Sequence, residues 1–202
     1  MNQRTLLVEF HELWHVGSGR GRGTHLDAVV DRDESGLPYV PGRMLKGVLR
    51  EAAERVANWC PAAPAHAATL TQLFGARPGD RSGEAPLEAC APGTLHVSDA
   101  RLPAEVAKWL ASEAGERYRE RLFREHFSTA IDHETGTARE SSLRGIEVAV
   151  PMTLEAEIRV APLDSAEGGF ELLARALPLV RALGAHRTRG LGRVSLAFKD
   201  EA

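Results

Sequence analysis

The chain has 202 residues, 43% of them hydrophobic and 26% charged, with a formal net charge of −3 at pH 7. Those values suit a globular domain with one sizeable core. They exclude a disordered chain and a uniformly basic nucleic-acid binder, and no apolar run approaches the ~20 residues needed to cross a bilayer. Local charge is more telling than the sum. Of the 25 basic residues only Lys46, Lys108 and Lys199 are lysine, and arginine gathers in two glycine-rich stretches near the two ends.

The N-terminus enters an apolar run with no signal-peptide core, which leads to the expectation of a cytoplasmic protein. Alternation in residues 5–10 predicts a first strand continuing toward Trp14. Then comes Gly17-Ser18-Gly19-Arg20-Gly21-Arg22-Gly23. Glycine exposes backbone N–H groups, and arginine adds a planar fork that matches phosphate. Residues 26–30 read as a short second strand, and 33–36 as a turn. A helix is predicted over 43–59, with Leu45, Val48, Leu49, Ala52 and Val56 on one face and Arg43, Lys46 and Arg50 on another. Pro61 and Pro64 end it, and 61–94 read as irregular connections.

Residues 95–98 suit a strand and 103–123 a helix, against which Gly115 counts. From 127 to 147 the chain is polar, with a hairpin-like tip at 132–136. Together 101–147 read as an insertion that projects from the core and adds little to its packing. Residues 153–160 alternate strictly, the pattern of a half-buried strand. A helix over 172–183 must be kinked or restarted by Pro178, and Gly184 suits its C-cap. Gly184-Ala185-His186-Arg187-Thr188-Arg189-Gly190-Leu191-Gly192-Arg193 leads into a last strand over 193–198. The order fits an α+β chain with a βαββαβ ferredoxin-like core, an insertion and two glycine-rich loops.

Several chemistries are excluded by context. The first glycine stretch has no following helix, which both a Walker loop and a dinucleotide fingerprint require. Arg187-x-x-Gly190-x-Gly192 matches an acetyl-CoA pyrophosphate signature but enters a strand, so no helix N-terminus meets the phosphates. His11 and His15 are four apart on a strand-like segment without further ligands, and Cys60 and Cys90 stand alone. His25 and Asp27, two apart on an extended segment, are expected to project together beside the first loop. That spacing leaves a structural and a catalytic Asp27 both open.

The run Leu37-Pro38-Tyr39-Val40-Pro41-Gly42-Arg43-Met44-Leu45-Lys46-Gly47 resembles the Pro-Gly-Ser-Ser-Leu-Lys-Gly element of the RAMP (repeat-associated mysterious protein) superfamily of CRISPR–Cas systems. Arg43-Met44 stands where that element carries two small hydroxyl residues. The loop 187–193 looks like the superfamily's C-terminal hallmark. Thr129-Ala130-Ile131-Asp132 and Glu147-Val148 are similar to the thumb-bearing region of type III backbone subunits. The resemblance implies one RAMP domain over 1–202, built on an RNA-recognition-motif-like ferredoxin core, with a thumb in 101–147.

It further implies subunits stacked head-to-tail along a guide CRISPR RNA, beside other type III effector subunits that include the large signalling subunit. Guide contacts would come from Gly17, Ser18, Arg20, Arg22, Arg43, Lys46, Arg50, Arg187, Arg189, Gly190, Gly192 and Arg193. Asp27 stands where the resembling subunits carry the acidic residue needed to cut complementary target RNA, so it is the expected catalytic residue and the expected ligand of a divalent metal, Mg2+. Two other readings stay open. One is a non-catalytic structural RNA-binding subunit. The other is a CRISPR-RNA-processing endoribonuclease using His25 or His15 as general acid–base.

Overall fold

Alternation, strict in one segment and interrupted at Leu7 in the other, builds the centre of an antiparallel sheet, β5 (Thr153–Val160) and β1 (Gln3–Phe10), paired from Gln3 opposite Arg159 to Glu9 opposite Thr153. The computed structural model describes residues 2–59, 63–76, 92–161 and 166–199. Cys60 and Cys90 lie outside them. β2 (Leu95–Val97) pairs with the outer edge of β5, and β6 (Val194–Phe198) with the outer edge of β1. The four-stranded order is β2-β5-β1-β6, antiparallel throughout.

One face of this sheet is apolar because the period-two pattern places Leu6, Val8, Phe10, Leu154, Ala156, Ile158, Val160 and Leu196 together, all buried. Two helices complete the core. α1 (Gly42–Trp59) contributes Leu45, Leu49, Ala52 and Val56 at helical spacing, and α5 (Ala166–Ala176) contributes Phe170, Leu173 and Ala176. The opposite sheet face is polar, with Glu9, Glu157 and Arg159 exposed and Glu155 paired with Lys199 at 2.9 Å.

Gly42 explains the Pro-Gly start of α1. A Cβ there would run into the Val97 carbonyl and the Ser98 backbone. Its own N–H donates to the Asp99 carboxylate at 2.9 Å, so an acid caps the positive end of the helix.

Five expectations need correction. β1 stops at Phe10, and Trp14 instead pairs singly with Ala149. Residues 26–30 are not a strand, because their backbone groups pair in turn with Arg22, Ile146 and Gly17. The stretch 61–94 contains a helix, α2 (Ala63–Phe74), which tolerates Pro64 in its first turn and buries Leu73 and Phe74; residues 77–91 lie outside the described ones. The helix expected over 103–123 is broken at Ser112 into α3 (Ala104–Ala111) and α4 (Glu113–Arg119), followed by a 3-10 turn, Glu120–Leu122. The extended Ser112 caps α4 by accepting from the Gly115 N–H, and Gly115 itself is needed because a Cβ would meet the Trp109 carbonyl. Lastly α5 begins and ends early. Pro178 starts a separate 3-10 turn, Leu177–Leu179, and Gly184 falls beyond it in a loop, at φ +90°, against the His15 carbonyl.

The second sheet is a hairpin of β3 (Phe123–Ser128) and β4 (Arg144–Ala149). Its tip is the turn expected at 132–136, where the Asp132 carboxylate accepts from Glu134 N, Thr135 N and the Thr135 hydroxyl, and Gly136 takes φ +68°. These bonds hold the Asp132 carboxyl below the usual carboxylate range. Residues 133–141 are exposed, whereas Phe123, Val148 and Ala149 belong to the core. The segment 101–147 therefore projects at its tip while its root packs with the rest.

Candidate functional site

A buried carboxylate fixes the hairpin to the loop that follows β1. Glu147 on β4 is 3% exposed, and its side chain accepts from Val30 N at 3.1 Å and from Arg32 Nη2 at 2.8 Å. Arg22 of the first glycine loop reaches the same oxygen at 3.5 Å. The Arg32 guanidinium also lies 3.6 Å from the centre of the Phe123 ring, at the foot of β3. On the backbone side, His15 Nδ1 donates to the Glu147 carbonyl at 2.6 Å. A carbonyl only accepts, so this bond sets the ring's tautomer and leaves Nε2 without the proton in the neutral form.

Asp27 is tied to the same strand, at Gly145, two residues before Glu147. Its N–H donates to the Gly145 carbonyl at 2.8 Å, and Gly145 N–H donates back to Asp27 Oδ2 at 3.0 Å. The other carboxylate oxygen accepts no hydrogen bond among the described residues.

Asp27 shares a cleft with side chains of the hairpin. Pairing of His126 with Ile146 and of Ser128 with Arg144 puts these four side chains on one face of the ladder. They line a cleft of about 400 Å³ together with Asp27 and with His186, Arg189 and Leu191 of the second glycine loop. Two guanidinium groups and one carboxylate give the cleft a net positive charge suited to a phosphodiester.

The second loop reaches the cleft through an unusual backbone. His186 (φ +57°), Gly190 (φ +87°) and Gly192 (φ +73°) are all left-handed and bracket a 3-10 turn, Arg187–Arg189. At Gly192 a side chain would strike the Leu183 carbonyl, so glycine is required there. On its far side the loop borders a second groove of about 260 Å³, lined by Arg187, by Arg55 and Glu51 of α1 and by Arg181 among others.

Not every expected residue is gathered here. Gly17, Ser18 and Arg20 lie in the first loop, where Ser18 N donates to the Val29 carbonyl at 3.1 Å and Arg20 is exposed. Arg193 pairs with Glu12 at 3.0 Å. Lys46 and Arg50 are engaged within the chain. Lys46 Nζ donates to the Leu95 carbonyl at 2.7 Å, at the β2 edge of the sheet, and Arg50 donates to Glu54 and to the Gly75 carbonyl. Burial, with Arg50 nearby, pulls the Lys46 ammonium below its usual pKa. Arg43 is exposed on the first turn of α1.

His25 and Asp27 do not project together. The Arg22 carbonyl accepts from both His25 N and Leu26 N, so the segment turns and period two does not apply. His25 lies 3.0 Å from Glu125 and edge-on to Phe127, on the opposite face of the hairpin from the cleft. His126, Ser128, Arg144, His186, Glu147 and Arg55 were missed by sequence reasoning. For His126 and Ser128 a signal existed, since both fall on one face once 123–128 is taken as a strand.

A family model described as the RAMP superfamily matches residues 8–195. The chain is also similar in fold to two solved chains. One is from a type III-B Cmr-beta structure bound to cognate target RNA (TM-score 0.69, 13% identity, covering 97% of this chain and 96% of that chain). The other is from the apo state of type III-B Cmr-beta (TM-score 0.67, 14% identity, covering 98% of each chain). No curated protein matches the chain by sequence.

Proposed function

The chain belongs to the RAMP superfamily, and from that premise we propose that it is a backbone subunit of a type III CRISPR effector complex that holds guide RNA and cuts complementary target RNA. The observation that carries this reading is Asp27, with one carboxylate oxygen free, in a cleft beside Arg144 and Arg189 where the hairpin meets the second glycine loop. Two neighbours of the same fold come from type III-B Cmr-beta structures, one of them bound to cognate target RNA, which supports RNA and other effector subunits as partners. The element sequence β1-α1-β2-β5-α5-β6 with sheet order β2-β5-β1-β6 supports a ferredoxin-like core. On this reading the thumb expected in 101–147 is the hairpin of β3 and β4.

RNA-recognition motifs stack bases on aromatic side chains of the open sheet face, but here that face carries no Phe, Tyr or Trp, and its acids Glu9, Glu155 and Glu157 stand beside Arg159 and Lys199. RNA is therefore held over the loops, by Arg20 and Arg22 at one end and Arg187 and Arg189 at the other. Affinity comes from phosphates, and base pairing with the guide supplies sequence.

The donor set fits a hard divalent ion. Among the described residues no group of three or more His, Cys, Asp or Glu side chains is placed to hold a metal. Mg2+ does not need one, because it keeps several waters and binds through one or two carboxylates plus substrate phosphates. Asp27 would hold it with RNA oxygens. Bound there, the ion supplies charge stabilisation at the reacting phosphate. Arg144 and Arg189 bind the non-bridging oxygens and hold the phosphate in line with the attacking 2′-oxygen. The processing alternative is not favoured, since neither His15 nor His25 lines the cleft.

Co-expression with a guide RNA and size-exclusion chromatography test the assignment. The expected product is a long ribonucleoprotein whose size follows guide length. A protein that stays small and binds only a repeat hairpin would overturn it in favour of a processing enzyme.

A further inference from the structure

We infer that His186 is the general acid of the cleavage step, giving its proton to the 5′-oxygen that leaves. The inference rests on the cleavage reading above and adds a second catalytic side chain to it.

Two observations independent of Asp27 single out this histidine. The first is backbone conformation. Among the described residues only Ser141, at the exposed hairpin tip, and His186 are left-handed without being glycine. His186 stands between Gly184 and Gly190, both left-handed glycines, so the loop keeps a bulky ring where a third glycine would sit without strain. Held strain of this kind collects at functional sites. The second is placement. The ring lines the same cleft as Asp27, Arg144 and Arg189, and it has no hydrogen-bond partner among the described residues. Either ring nitrogen is thus available to a ligand.

His186 is not read as a ligand of an ion held by Asp27, since Mg2+ takes oxygen rather than imidazole ligands. It is a separate donor. In-line displacement puts the attacking and leaving oxygens on opposite sides of phosphorus. The group serving the leaving oxygen then lies across the phosphate from the attacking oxygen. Asp27, in the segment after the first loop, and His186, in the second loop, reach the cleft on separate segments, which suits such an arrangement.

The step balances without another reactant. The target's 2′-oxygen forms a bond to phosphorus and loses its proton to water. The bond from phosphorus to the 5′-oxygen breaks, its electron pair stays on oxygen, and that oxygen takes the proton of the His186 imidazolium. The products are a 2′,3′-cyclic phosphate and a 5′-hydroxyl, and His186 regains its proton from solvent. Arg144, Arg189, His126 and Asp27 are the charged and titratable groups that share the cleft with the ring.

The test uses the assembled guide complex and two target RNAs, one natural and one with sulfur in place of the scissile 5′-oxygen. A thiolate leaves without needing a proton. His186→Asn keeps a residue that tolerates left-handed backbone and removes the acid. It should cut the natural target about 10²–10⁴-fold more slowly and the sulfur target at the wild-type rate, while Asp27→Asn cuts neither. Equal slowing of His186→Asn on both targets, or no slowing, would overturn the assignment. So would the same sulfur rescue in His126→Gln but not in His186→Asn. A wild-type complex that binds target but cuts neither RNA removes the cleavage reading, and this inference with it.

Discussion

Replacing Glu147 should unfasten the hairpin from the loop that carries Asp27. In Glu147→Ala the buried Val30 N–H loses its acceptor at 3.1 Å and Arg32 its partner at 2.8 Å. An unsatisfied buried donor costs about 1–3 kcal/mol, and a lost charge-assisted hydrogen bond about 1.5–3 kcal/mol. Arg32 keeps 25% of its side-chain exposure, so water recovers part of its loss, and Arg22 at 58% adds almost nothing. The net is about 3 kcal/mol, which for a chain of this size lowers Tm by ~6–12 °C. Glu147→Gln keeps an oxygen for Val30 and loses only the charge, so about half that drop is expected. Thermal melts followed by circular dichroism read both. Arg32→Ala combined with Glu147→Ala should cost clearly less than the sum of the two. A Glu147→Ala protein melting within about 1 °C of wild type, against the ~6 °C minimum worked above, would refute the reasoning.

Three further outcomes follow from the same geometry. Arg187→Ala with Arg189→Ala should weaken guide binding whatever the guide sequence, and reduce the slope of log affinity against log salt by about 1.4, at about 0.7 per phosphate contact on a single strand; an unchanged slope counts against phosphate contacts there. The folded-state pKa of Asp132 is depressed, so its support of the hairpin tip is complete above the usual carboxylate pKa and is lost as pH falls through the lowered value. Amide exchange at Glu134 and Thr135 should accelerate over that acid window in the wild type, and Asp132→Asn should abolish the acid dependence. Replacing the exposed residues 133–141 by a short turn should leave thermal unfolding cooperative, whereas deletion through Glu147 should abolish it, because Gly145 and Glu147 are buried.

The parts of this protein that could be read directly are those whose partners are local or whose pattern is strict. β5 keeps its predicted bounds because every second residue is apolar, and α1 declares itself through a stripe at helical spacing. α2 was hidden by alanine and proline, whose composition suits a connection as well as a helix with Pro64 in its first turn. The break at Ser112 carried a signal, a hydroxyl cap followed by Glu113 and Glu116 in the first turn, that the longer apolar pattern masked. The candidate site was legible only in its parts. Asp27 and the two arginine–glycine loops stand out in the sequence, but the partner of Glu147 lies 115 residues away, at Arg32. No local pattern foretells that a glutamate between Ile146 and Val148 is buried. His186 was passed over because its left-handed backbone, not its neighbours in sequence, sets it apart.

The most direct test of the account is cutting of a labelled, guide-complementary RNA by the assembled complex carrying Asp27→Asn, with Mg2+ present or chelated. Asparagine keeps the acceptor for Gly145 N–H, now 3.0 Å from Oδ2, while removing the charge that would hold the ion. The account predicts Mg2+-dependent cutting by the wild type, none by the variant, and guide and target binding within a few-fold of each other in the two complexes. Cutting by Asp27→Asn at the wild-type rate and with the wild-type dependence on Mg2+ would contradict it.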